Sequence, residues 1–215
     1  MILGFMHCAT IGNGEKILRS QIAKVIESGL FQVTNQITIG KVGDGELSDI
    51  PNGFLVSQGE GQINHGEKFT LDMLWDVCRK TDCDVWYVHT KGASRRRREV
   101  VAWRRAMEYH IMYRHRDCIA ELADHDICGI LWSPCGCKPH FSGNFWWARG
   151  AYIRSLEKPS EWVSKNEPQI PEMYRYELWI GSGPSVRPKS LFQVDPGKKW
   201  YYDKEILYGS YGKLF

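Results

Sequence analysis

Residues 84–105, "DVWYVHTKGASRRRREVVAWRR", open as a strand and close as a helix. Val85, Trp86, Tyr87 and Val88 form an unbroken apolar run, the mark of a strand covered on both faces. From Ser94, placed as the N-cap, Val100, Trp103, Met107 and Ile111 form one stripe at helical spacing, and the helix is expected to reach about Leu122. Between strand and helix stand His89, Thr90, Lys91 and Gly92, followed by the run Arg95–Arg98. A helix start already offers free N–H groups and a partial positive charge, so arginines there oppose the usual preference for acidic residues. Such a local violation tends to mark a functional site. A phosphate or diphosphate would reconcile it: Lys91 supplies a point charge, Gly92 lets the backbone approach, and the helix start offers donors. Charge alone equally fits a solvated arginine face. Lys91 at a strand end tilts the reading towards the phosphate.

Working outward, the same alternation recurs. "ILGFMHCAT" reads as a buried strand and "GEKILRSQIAKVIESG" as a helix. "FQVTNQITIGKVGDG" reads as one or two strands, "GFLVSQG" as another, and "TLDMLWDVCRKT" as a second helix. Downstream, "DICGILWSP" is a further strand and "HFSGNFWWARGAYIRSL" leads into a helix. Strands alternating with helices imply an α/β fold, with a central, mainly parallel sheet flanked by helices. The 215 residues show no internal repeat and no linker, so one domain is expected over 1–215.

The hydrophobic fraction of 43% and the charged fraction of 25% exclude a disordered chain. A net charge of +3 is spread along the sequence apart from Arg95–Arg98, which gives no general argument for nucleic acid. Five of the seven cysteines, Cys8, Cys78, Cys83, Cys118 and Cys128, lie in or beside apolar runs, as reduced thiols of a cytoplasmic protein would. "CGCKPH" lacks the spacing and the second pair of a structural zinc site. Neither a signal peptide nor a membrane span is expected.

Ligands of open α/β sheets bind outside the carboxyl ends of the strands. That edge should carry His7 and Thr10, Asp44 between two glycines, and His89 to Gly92. The D-x-D patterns Asp82–Asp84 and Asp124–Asp126 precede their strands and belong to the opposite edge, as turn and capping residues. In "HFSGNFWWARG", Ser142 and Asn144 beside Trp146 and Trp147 suit a sugar, whose C–H face packs on rings while its hydroxyls need polar partners. Consecutive tryptophans face opposite sides of a strand, so one of the two should belong to the core. Glu177, within "YRYELWIG", suits a base or nucleophile, or else a helix ion pair with Arg175 or Lys165.

Taken in order, "YVHTKG", "VAWRRAMEYHI", "HFSGNFWWARGAYIRSL" and "YELWIG" resemble a group of small GT-A glycosyltransferase domains, of the kind chlorella viruses use on their major capsid protein. The likeness runs from about His7 to Gly181. It implies transfer of a sugar from a UDP-sugar donor to a glycan acceptor, with Mn²⁺ as cofactor and retention of anomeric configuration. It also implies no nucleic-acid partner, and a place in a longer multidomain chain in the host cytoplasm. Residues 1–95 would form the nucleotide-binding half and 96–215 the sugar and acceptor half. Uridine would lie near His7, Thr10 and Asp44, and the diphosphate near His89, Lys91, Gly92 and Arg95. The sugar would lie near Ser142, Asn144 and Trp146, with Glu177 and Asn144 serving catalysis. These families carry a carboxylate D-x-D where this chain reads "HTKG", so His89 would replace a metal ligand, or the metal would be held elsewhere, or Lys91 and the arginines would neutralise the diphosphate. A non-catalytic carbohydrate-binding domain, or a nucleic-acid module built on Arg95–Arg98, are the alternatives.

Overall fold

The computed structural model describes residues 1–59, 66–94, 97–134, 138–170 and 174–193. The first half runs β1 (Ile2–Ala9), α1 (Gly14–Glu27), α2 (Leu30–Val33), β2 (Gln36–Val42), β3 (Phe54–Gln58), α3 (Lys68–Lys80) and β4 (Asp84–His89). The second half runs α4 (Arg98–Glu108), a π-helical turn (Tyr109–Tyr113), α5 (His115–Glu121), β5 (Ile127–Gly129), β6 (Trp132–Ser133), β7 (His140–Phe141), β8 (Trp146–Arg149), α6 (Gly150–Ser155), α7 (Pro159–Asn166) and β9 (Pro188–Ser190). Seven strands make one sheet in the order β3-β2-β1-β4-β8-β5-β9. Every pairing is parallel except those of β8, which lies antiparallel between β4 and β5. The expected mainly parallel sheet flanked by helices is therefore the fold. No helix among the described residues is long and apolar enough to cross a membrane.

Strand alternation divides the core into two layers. Leu3, Phe5, Val85, Tyr87, Trp146 and Ala148 face one side, where they meet Leu71, Leu74 and Cys78 of α3 and Ile153 of α6. Met6, Cys8, Trp86, Val88 and Trp147 face the other, against Leu18, Ile22 and Val25 of α1 and Met107 of α4. Both neighbouring tryptophans of β8 are thus fully buried, one in each layer, because the sheet is covered on both faces. This corrects the expectation that only one belongs to the core.

Three local readings also change. Ser94 does not cap a helix: α4 starts at Arg98, with Arg97 at its N-cap. The backbone before it is spent on a turn, Ala93 N donating to Thr90 O at 3.1 Å while Ala93 O accepts from Asn13 N at 2.9 Å. Part of "FQVTNQ" is helical, in α2, before β2 begins. The long helix expected to about Leu122 widens at Tyr109–Tyr113, where Arg114 N reaches back five residues to Tyr109 O at 3.0 Å.

Candidate functional site

β1, β2 and β4 end on the same edge of the sheet, and their loops are tied together there. Thr10 N and Oγ1 both donate to Val42 O, at 2.9 and 3.1 Å, and Gly45 N donates to Thr10 Oγ1 at 3.1 Å. Asp44 is thereby held exposed at the rim. After β4 the chain turns sharply. Thr90 N donates to His7 O at 3.0 Å, Lys91 N to His89 O at 2.7 Å, and Gly92 adopts a left-handed φ of 83° that favours glycine. Lys91 Nζ lies 4.0 Å from the centroid of the Trp103 ring, a cation–π contact made across the turn.

Two buried polar clusters support this turn. On one side, Glu108 is wholly buried and pairs with Lys24 and, at 3.2 Å, with Arg104. Gln21 Nε2 donates both to Glu108 Oε1 at 3.1 Å and to His89 O at 3.0 Å, and Arg104 Nη1 donates to Lys91 O at 2.9 Å. Arg104, which pairs with Glu108, and Gln21, which donates to it, therefore also hold the carbonyls of the turn.

The other cluster joins β4 to the turn before β8. His89 Nε2 is 2.9 Å from Gly143 O, so Nε2 carries a hydrogen and donates it. Its Nδ1 lies 3.3 Å from Glu67 Oε1. Glu67 Oε2 accepts from Tyr87 OH at 2.8 Å and from Asn144 Nδ2, and Asn144 Oδ1 accepts from Trp146 Nε1 at 2.7 Å. Gly143 N donates to Glu177 Oε1 at 2.5 Å, and His140 Nε2 stands 4.0 Å from the same oxygen. Burial raises the proton affinity of the Glu67 carboxyl. Burial, reinforced by the Lys91 charge, lowers His89 to about 3.

Several expected contacts take different places. Trp146 has no exposed surface; it is packed between Tyr87 and Trp179, with ring centroids 5.2 and 6.3 Å away, and offers no face to a sugar. His7 is 3% exposed and its Nδ1 is bonded to Thr70 Oγ1 at 2.8 Å, so it lies under the site instead of lining the base pocket. Burial lowers its pKa to about 4. Asn144, 1% exposed and with φ 57°, belongs to the floor; both ends of its amide are engaged. Ser142 is half-buried on the loop before it. Arg95 lies outside the described residues, as do Cys135 and Cys137; Arg97 and Arg98 are exposed.

His89 does not sit in a metal-binding set. Its Nε2 is given to Gly143, and no group of three or more His, Cys, Asp or Glu side chains suited to a metal exists among the described residues. With Nε2 given to Gly143 O, only Nδ1, which faces Glu67 at 3.3 Å, is left to His89 for a cation such as Mn²⁺, and no step below runs through a metal. Asp82 and Asp126 do lie at the opposite edge, bonded to Arg154 at 3.2 Å and Arg187 at 3.0 Å.

Glu67 and Glu108 are the site residues that sequence reading missed. Glu67 occupies the N-cap position of α3 without capping it, and an acidic residue at a helix start reads locally as a dipole partner. Glu108 continues a charged helix, and only its complete burial distinguishes it.

Fold and site together describe an α/β protein with two buried polar clusters gathered at the carboxyl edge of its sheet. The chain belongs to the family described as "Domain of unknown function (DUF8361)", whose model matches residues 13–208. No curated protein matches it. Solved structures similar to it include Rv0371c of Mycobacterium tuberculosis H37Rv in complex with manganese, at 12% identity, covering 96% of this chain and 97% of that one, with a TM-score of 0.44. A second Rv0371c structure aligns at 12% identity over 95% and 97%, TM-score 0.42. The 2-C-methyl-D-erythritol 4-phosphate cytidylyltransferase (IspD) of Francisella tularensis aligns at 12% identity over 98% of each chain, TM-score 0.48.

Proposed function

We propose that the protein is a glycosyltransferase that takes a sugar from a UDP-sugar and passes it to a hydroxyl of a glycan. One observation carries the reading: the turn His89–Gly92, with its lysine and left-handed glycine, stands at the carboxyl end of a central strand and faces Glu177 across the Gly143 backbone. The motif likeness to GT-A domains supports it, and capsid glycosylation is the biological setting that likeness carries. In this reading the 1–95 half takes the nucleotide and the remainder takes sugar and acceptor.

The diphosphate lies over Lys91 and Gly92, and the rim of Thr10 and Asp44 takes the nucleoside. As the bond from the anomeric carbon to the diphosphate oxygen breaks, negative charge grows on the leaving group and Lys91 offsets it. The acceptor oxygen forms the new bond to the anomeric carbon. Its proton passes to the departing phosphate oxygen if attack comes from that side, with retention, or to Glu177 if attack comes from the opposite side, with inversion. Ser142 lies at the mouth where sugar hydroxyls need partners.

Isothermal titration with UDP, GDP and a UDP-sugar tests the proposal. UDP and the UDP-sugar should bind in the micromolar range and GDP should not. Lys91→Ala should cost about 1.5–3 kcal/mol of that binding, the worth of a charge-assisted contact. Equal affinity for all nucleotides, or an unchanged Lys91→Ala, overturns it.

A further inference from the structure

Glu67 belongs to no motif, yet three side chains from β4 and the neighbouring turns converge on its carboxyl. Oε2 accepts from Tyr87 of β4 and from Asn144 of the turn before β8, while Oε1 faces His89 Nδ1 at 3.3 Å. Asn144 in turn receives the Trp146 indole, and its neighbour Gly143 both accepts from His89 and donates to Glu177. Asn144 sits in a left-handed conformation, φ 57°, that its side-chain bonds hold in place. Removing Glu67 would leave Tyr87 OH and Asn144 Nδ2 without their acceptor in a buried setting, so the turn carrying Gly143 would shift, and Glu177 with it.

We propose that Glu67 is a positioning residue: it clamps the Gly143–Asn144 turn to β4 and thereby sets the place of Glu177 and the orientation of His89. Glu67 acts through these neighbours and need not touch a substrate. Its effect on sugar transfer rests on the function proposed above; the clamp itself does not. Glutamine is the informative replacement, because its oxygen accepts from Tyr87 and Asn144 while its amide donates to His89 Nδ1, preserving every contact.

The full chain labelled with ¹⁵N provides a readout free of any activity: the Trp146 indole N–H resonance, whose acceptor is Asn144. E67Q should leave that resonance at its wild-type position, and E67A should shift or broaden it. With a UDP-sugar donor, E67A should lower kcat on the order of tenfold or more, as when a reacting group such as Glu177 is misplaced, with UDP affinity kept and E67Q near wild type. An E67A resonance that does not move, or an E67Q resonance that moves as far as E67A, overturns the proposal. If E67A does not fold, E67Q is judged against wild type, and an indole resonance that shifts or broadens overturns the proposal. If no variant and no wild type transfers sugar, the function is wrong while the indole resonances still judge the clamp.

Discussion

Glu108 gives the sharpest test of how the strand-end turn is held. Its side chain is 0% exposed, while its partners Lys24 and Arg104 are 14% and 13% exposed. Glu108→Ala would take the carboxylate away from two nearly buried cations and remove an acceptor from Gln21 Nε2, which also holds His89 O. Breaking a buried pair by deleting one partner costs about 3–5 kcal/mol, much more than an exposed ion pair is worth. For a chain of this size that corresponds to a melting point lower by roughly 6–20 °C. Glu108→Gln keeps an acceptor for Gln21 and loses only the charge, so its loss should be smaller, about 1–3 kcal/mol. Urea unfolding followed by tryptophan fluorescence measures both variants, with unchanged m-values showing that the same surface is exposed on unfolding. A loss under about 1 kcal/mol for Glu108→Ala would refute the reasoning, since it would mean water already compensates the cations.

Other consequences are as definite. A Cβ on Gly40 would stand 2.1 Å from Thr70 Oγ1, so Gly40→Ala should displace the partner of His7 and destabilise the fold by about 1–3 kcal/mol, read from denaturant midpoints. His7 and His110 are both lowered to about 4 by burial, below the ordinary 6.5. The unfolded chain thus takes up their protons first, and stability should fall as pH drops from 6.5 towards 4, by about 2–3 kcal/mol for each at pH 4.5. Urea midpoints at pH 7 and 4.5 check this, and equal midpoints would contradict it. Trp103→Leu removes the ring under Lys91 and should weaken UDP binding by about 0.5–2 kcal/mol, measured by titration calorimetry.

Much of the fold was legible locally. The apolar runs of β1 and β4 and the helical stripes of α1 and α3 follow from side-chain periods of two and 3.6, which depend only on neighbours in sequence. The carboxyl-edge rule then places His89, Lys91, Thr10 and Asp44 on one edge. Pairing was another matter. That β8 enters antiparallel between β4 and β5, and that Pro188–Ser190 joins the sheet beyond β5, depends on contacts between residues far apart in sequence. Trp146 and Trp147 illustrate the division: their alternation is a property of the strand, but whether each ring meets a ligand or a helix is settled by what packs on that face. Glu67 and Glu108 show it most clearly. A glutamate's side chain is written in the sequence, whereas its desolvation and its partners exist only once β4, α1 and the turn at Gly143 have closed around it, since hydrogen bonds and burial act through space and leave no periodic trace along the chain.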